Sequence, residues 1–139
     1  MTTLQQRLMG IDHGTVRIGV ALSDELRMLA RPLEYVPAKS PFERLKEIIS
    51  EYDVGGIIIG LPLNMNGDEG PATEKVRAFV KELEKHVSIP IVEEDERLTT
   101  VQADNALANA GIKAKNRKSK IDASAAAVIL QDYLDRDGF

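Results

Sequence analysis

The stretch Leu8-Met9-Gly10-Ile11-Asp12-His13-Gly14-Thr15-Val16-Arg17-Ile18-Gly19-Val20-Ala21-Leu22-Ser23 decides the fold. Leu8 to His13 and Val16 to Ser23 are apolar, β-compatible runs, and Gly14-Thr15 between them reads as a tight turn, so the chain is expected to open with a hairpin. Working outward, a third short strand is predicted over Leu33 to Val36, ahead of Pro37. Ser40-Pro41-Phe42-Glu43 then offers an N-cap, a proline at the first helical position and a capping-box acid. Phe42, Leu45, Ile48, Ile49 and Tyr52 supply the apolar face of that helix.

Gly56 to Gly60 is an Ile-rich run without alternation, the pattern of a parallel strand covered on both faces and therefore central in its sheet. A loop from Leu61 to Gly70 leads to a helix carrying Val76, Phe79, Val80 and Leu83 on one side, then to a strand over Ile89 to Glu93. Thr99 with Gln102 forms a capping box for a helix ending near Gly111, and a basic loop leads to a last helix from about Lys120 to Arg136. The order β-β-β-α-β-α-β-α-α implies an α/β domain. Its mixed five-stranded sheet begins as an antiparallel meander, is finished by crossovers, and is flanked by helices on both faces.

A length of 139 residues suits one domain, residues 1–139, with a real core. The absence of cysteine excludes disulfides, thiolate zinc sites and cysteine nucleophiles, and suits a reducing compartment, so a cytoplasmic location is expected. No charged-then-apolar leader opens the chain and no apolar run has the length of a bilayer span, so no membrane association is expected. A net charge of −4 argues against non-specific coating of nucleic acid. Distribution matters more than the total: Lys113, Lys115, Arg117, Lys118 and Lys120 crowd one segment, and Glu93, Glu94, Asp95 and Glu96 crowd another.

Asp12 falls where the first strand runs out into Gly14-Thr15, a place for a functional carboxylate or for a turn aspartate bonding its own backbone. Asp95 and Glu96 follow a parallel strand, whose carboxyl end faces the ligand crevice in such sheets; a solvated acidic loop is the plainer reading. Asp122 begins the last helix, where a capping box with Ser119 explains an acid without catalysis. Strand ends and a helix start can nevertheless bring these acids to one edge of the sheet. Clustered carboxylates repel unless a cation neutralises them, and hard oxygen ligands select Mg²⁺ or Mn²⁺, which accept phosphate oxygens. The chemistry that follows is phosphodiester hydrolysis. His86 reads as structural, and His13, adjoining Asp12, points to the opposite face of an alternating strand.

Gly10-Ile11-Asp12-His13-Gly14-Thr15-Val16-Arg17-Ile18-Gly19-Val20-Ala21-Leu22-Ser23-Asp24 resembles the opening signature of the YqgF/RuvX family. Gly60-Leu61-Pro62-Leu63-Asn64-Met65-Asn66-Gly67, Asp95-Glu96-Arg97-Leu98-Thr99-Thr100, and Lys120-Ile121-Asp122 with Ala125-Ala126 and Ile129-Leu130 resemble its other blocks, in order. The resemblance implies an RNase H-like fold and a metal-dependent nuclease that matures the 16S rRNA precursor, with kinship to Holliday junction resolvases. It implies that Asp12 and Asp122 are the first and last acids of the site and that Asp95 or Glu96 is the middle one. It assigns Arg17, Arg97, Thr99 and Thr100 to phosphate contact or to shaping the site. Val16 stands where a basic or polar residue is common, and His13 where an apolar one is. Lys115, Arg117, Lys118 and Lys120 are expected to bind nucleic acid through phosphates. The expected partner is structured RNA or branched DNA, and the protein is expected to be a monomer or homodimer; a junction resolvase needs a dimer to present two sites to symmetric strands. A non-catalytic nucleic-acid-binding factor is the alternative from another class. An actin-like ATPase is disfavoured because it needs two domains.

Overall fold

The computed structural model describes the backbone of residues 5–95 and 114–137, and the side chains of 5–95 and 125–136. Strands β1 (Arg7–His13), β2 (Arg17–Ser23) and β3 (Ala30–Pro37) form the expected meander. Helix α1 (Phe42–Glu51), strand β4 (Val54–Leu61), helix α2 (Pro71–Glu84), strand β5 (Ile91–Asp95) and helix α3 (Ala114–Asp137) follow. The sheet order is β3-β2-β1-β4-β5, with β1, β4 and β5 mutually parallel and β2 and β3 added antiparallel. The Ile-rich strand β4 lies between two parallel neighbours, as its lack of alternation requires.

Period-two alternation sends side chains to two separate cores. On one face Met9, Ile11, Ile18, Val20, Ile57 and Ile59 pack with Leu45 and Ile48 of α1 and Val76, Phe79, Val80 and Leu83 of α2. On the other Leu8, Ala21 and Ile58 pack with Ala126, Ile129, Leu130 and Leu134 of α3. The second core depends on close approach. A Cβ at Gly10 would lie 2.6 Å from the Ala126 carbonyl oxygen and 2.9 Å from Leu130 Cβ, so only glycine lets α3 settle on β1.

Several boundaries differ from the expectation for identifiable reasons. β3 is longer than Leu33 to Val36 and contains Pro32, which is tolerated because β3 is an edge strand with a register shift opposite Val20/Ala21. β5 starts at Ile91 rather than Ile89, after Pro90. The predicted capping box at Ser40 does not form: α1 has no side-chain cap bond, and Glu43 pairs with Lys46 at 2.9 Å instead. The largest correction concerns α3, which is helical from Ala114 rather than Lys120, so the segment read as a basic loop is helix from residue 114 on. Ser119 is therefore inside a helix and cannot be its N-cap. The helix expected between Thr99 and Gly111 lies outside the described residues.

Candidate nuclease site

One row across the sheet holds the candidate acid Asp12. Pairing places Tyr35 opposite Gly19, Gly19 opposite Asp12, and Gly60 opposite Glu94. Ile11 pairs with Ile59, so Gly60 is level with Asp12 on the other side. The row thus reads Tyr35, Gly19, Asp12, Gly60, Glu94, and residues level in a sheet share a face. The face is that of α3, because Gly10, two residues before Asp12, packs on Ala126. Glycine on both sides gives the half-buried Asp12 carboxylate no side-chain neighbour in its row nearer than Tyr35 and Glu94.

The ends of the row are held by cations. The Arg17 guanidinium lies 4.8 Å from the centre of the Tyr35 ring, and alternation puts Arg17 on the same face as Gly19 and Asp12. At the other end Glu94, a buried acid, forms an ion pair with Arg136 of α3. Glu94 is therefore engaged in fastening α3 to the last strand. Position 122 lies in α3 one turn before Ala126, and the helix runs antiparallel to β1: Leu134 shares a core with Leu8, and Ala126 meets Gly10. One turn beyond Ala126 is the level of Asp12. The backbone of α3 therefore brings residue 122 to the carboxyl end of β1.

Asp95 is the last residue of β5, level with Leu61. Glu93, two residues earlier, meets Arg77 of α2 at 3.6 Å, whereas Glu94 meets α3. Alternation thus assigns Asp95 to the face of α2, opposite to that of Asp12. Glu96 and Arg97 lie outside the described residues, as do the side chains of Lys115, Arg117, Lys118, Lys120 and Asp122. Among the described residues no group of three or more acids and histidines is placed to hold a metal. His13 sits on the α2 face with its ring 4.7 Å from that of Phe79, and burial lowers its imidazole pKa below the ordinary value, with the Lys75 charge acting in the same direction. His86 stacks on Phe42 at 4.4 Å, a packing role.

Sequence reasoning did not single out Tyr35, the glycines beside Asp12 or the Glu94–Arg136 tie. A glycine inside a strand pattern is a signal in its own right, and Gly19 and Gly60 both carry it. No described helix is long and apolar enough to cross a membrane.

The chain is 50% identical over 133 residues to a Thermoanaerobacter pseudethanolicus protein named "Putative pre-16S rRNA nuclease", covering 93% of this chain and 96% of that one. A Ruminiclostridium cellulolyticum protein of the same name is 46% identical over 134 residues, 94% of each chain. Among solved structures, Thermus thermophilus RuvC in complex with a Holliday junction substrate superposes with a TM-score of 0.58 at 18% identity, over 96% of this chain and 97% of that one. The human cytomegalovirus terminase nuclease domain superposes with a TM-score of 0.53 at 12% identity, over 96% of this chain and 85% of that one. The likeness to RuvC shows that the fold is RNase H-like. The family model described as "RuvX: Holliday junction resolvase" matches residues 6–136, and the chain belongs to the RuvX family.

Proposed function

We propose that this protein is a metal-dependent nuclease that hydrolyses phosphodiester bonds in the 16S rRNA precursor. The observation that carries the reading is Asp12 on the face of α3, flanked by two glycines and level with residue 122 of that helix. The names of the relatives supply the substrate class. The donor set fits a hard divalent cation: Asp12, Asp122 and one of Asp95 and Glu96 offer carboxylate oxygens, and the glycines leave room beside the first of them. Mg²⁺ or Mn²⁺ bound there supplies polarisation of the scissile phosphate and activation of the attacking water. The chain's own part is to hold and orient. Asp12 pairs with Gly19 of β2 and directly follows Ile11, which pairs with Ile59 of β4, so its backbone position is preorganised rather than recruited. Arg17, spread over Tyr35, is set to receive a phosphate oxygen with its planar fork. Arg97 and the helical Lys115, Arg117, Lys118 and Lys120 supply further phosphate contacts by their charge.

The test is cleavage of precursor rRNA and of four-way DNA junctions by purified protein in Mg²⁺, Mn²⁺ or EDTA, with Asp12→Asn alongside. The wild type should cut the RNA only with metal. The variant, which keeps shape and one oxygen, should melt within a few degrees of the wild type, still bind RNA in EDTA, and lose cleavage. Equal metal-dependent cleavage by both proteins overturns the site, and cleavage of junctions alone transfers the activity to DNA.

A further inference from the structure

The sheet edge that carries Asp12 also carries two exposed apolar side chains and a cation that the nuclease reading does not use. Val16, at the hairpin tip four residues after Asp12, is 82% exposed, and Met65, in the loop leaving β4, is 74% exposed. Both sit on fixed backbone. The Val16 carbonyl accepts a hydrogen bond from the Ala38 amide at 3.0 Å. Met65 lies in a turn closed by Gly67 N–H donating to the Asn64 carbonyl at 2.7 Å, with Gly67 at φ 91°. Asn64 N–H donates to the Asp68 carbonyl at 2.8 Å, and the Asn66 side chain bridges to Asp68 at 2.9 and 3.0 Å. Where the loop enters α2, the Thr73 hydroxyl donates to the Pro62 carbonyl.

The cation is Lys75. It lies on α2 one turn before Phe79, whose ring touches His13, so the helix carries it out over the end of β1. No acid stands three or four residues away from it in either direction. The β1–β2 turn, the loop leaving β4 and the start of α2 all lie at the carboxyl ends of the parallel strands β1 and β4, so two exposed apolar side chains and an exposed cation share that end of the sheet, matching the chemistry of one nucleotide: a base face and a phosphate. The described tyrosines and phenylalanines are all buried or half-buried, so among the described residues no exposed aromatic ring offers a base a surface to stack on. Aliphatic wedges serve that purpose in proteins that unstack bases.

Resting on the nucleic-acid reading above, we infer that Val16 and Met65 hold the base of an unstacked nucleotide next to the scissile phosphate while Lys75 contacts the backbone of the same strand. The substrate strand thus leaves Asp12 over the end of α2, and the site prefers a junction between paired and unpaired RNA, where one base unstacks at least cost.

The test uses an RNA duplex with a single-stranded extension, carrying 2-aminopurine at one nucleotide at a time, in EDTA so that binding is read without cleavage. Wild-type protein should raise the fluorescence at a nucleotide near the junction. Val16→Thr/Met65→Gln, which keeps shape at exposed positions, should lose most of that rise while its salt dependence of binding stays that of the wild type. Lys75→Gln should keep the rise and flatten the slope of log K against log salt by about 0.7–0.9, one phosphate contact. Lys81→Gln, farther along α2, should change neither reading. A full rise in the double variant, an unchanged slope in Lys75→Gln, or no binding by the wild type overturns the inference. Binding with the expected fluorescence but no cleavage in metal defeats the nuclease reading alone.

Discussion

Asp95 and Glu96 are neighbours in sequence and similar in chemistry, and of the two only Asp95 belongs to the described strand β5. Arg77 on one face and Arg136 on the other fix the parity of β5 through Glu93 and Glu94. Asp95 has the parity of Glu93. Glu96 has the parity in sequence of Glu94 and of the row containing Asp12. Glu96→Gln is therefore expected to abolish metal-dependent cleavage, and Asp95→Asn to leave most of it, with metal affinity measured by isothermal titration following the same order. The opposite order would place the middle ligand on the α2 face. The run Glu93-Glu94-Asp95-Glu96 was legible as an acidic cluster, but its division into a partner for Arg77, a partner for Arg136 and a remaining pair was not. Both arginines are distant in sequence.

At the scale of elements, the packing of α3 on β1 is expected to couple stability to the candidate site. Gly10→Ala forces a methyl group into the Ala126 carbonyl and Leu130, a backbone and a Cβ that have little freedom to give. Overpacking of this kind costs typically ~1–3 kcal/mol. The variant should show that loss in urea unfolding, and a further fall in cleavage while folded, because the same helix carries residue 122. A fall in stability with full specific activity would mean that α3 need not sit closely on β1 for the chemistry. Ser119 tests the helix itself. Inside a helix, Ser119→Ala should raise stability by roughly a few tenths of a kcal/mol through helix propensity. Loss of an N-cap would instead cost about 0.5–2 kcal/mol. Urea midpoints of the two proteins separate these outcomes. The sequence reading started this helix six residues late because Ser119 followed by Asp122 satisfies a capping pattern, and a pattern of four residues does not report the turns before it.

For the whole molecule, edge strand β3 is joined to α1 by Glu34 and Arg44, whose guanidinium also reaches Glu47 at 3.6 Å and Glu51 at 3.9 Å. The hydrogen bond from Arg44 holds the Glu34 carboxyl below its ordinary value, against a smaller opposing effect of burial. A carboxylate whose folded pKa lies below the unfolded 4.5 binds fewer protons in the native state. Its contribution is then complete above the unfolded value and is lost as pH falls through the folded one. Melting temperatures measured from pH 7 down to pH 3 should fall less steeply for Glu34→Gln than for the wild type at the acid end. Parallel curves would mean that the pair is screened by solvent and adds nothing, as many exposed pairs do.

By itself the sequence determined the α/β class, the opening hairpin, the buried central strand from Gly56 to Gly60 and the place of Asp12 at a strand end. Each of these is written in local periodicity and turn chemistry. Its four ordered motif blocks also carried the family. Only the tertiary structure decided that Asp12 stands between two glycines, that α3 lies on its face with residue 122 at its level, that Glu94 is taken by Arg136, and that His13 belongs to the other side of the sheet. The physical reason is one of range. Alternation tells which residues share a face of one strand, but which strands are neighbours, in what register, and which helix covers each face depends on pairing and packing between segments tens of residues apart.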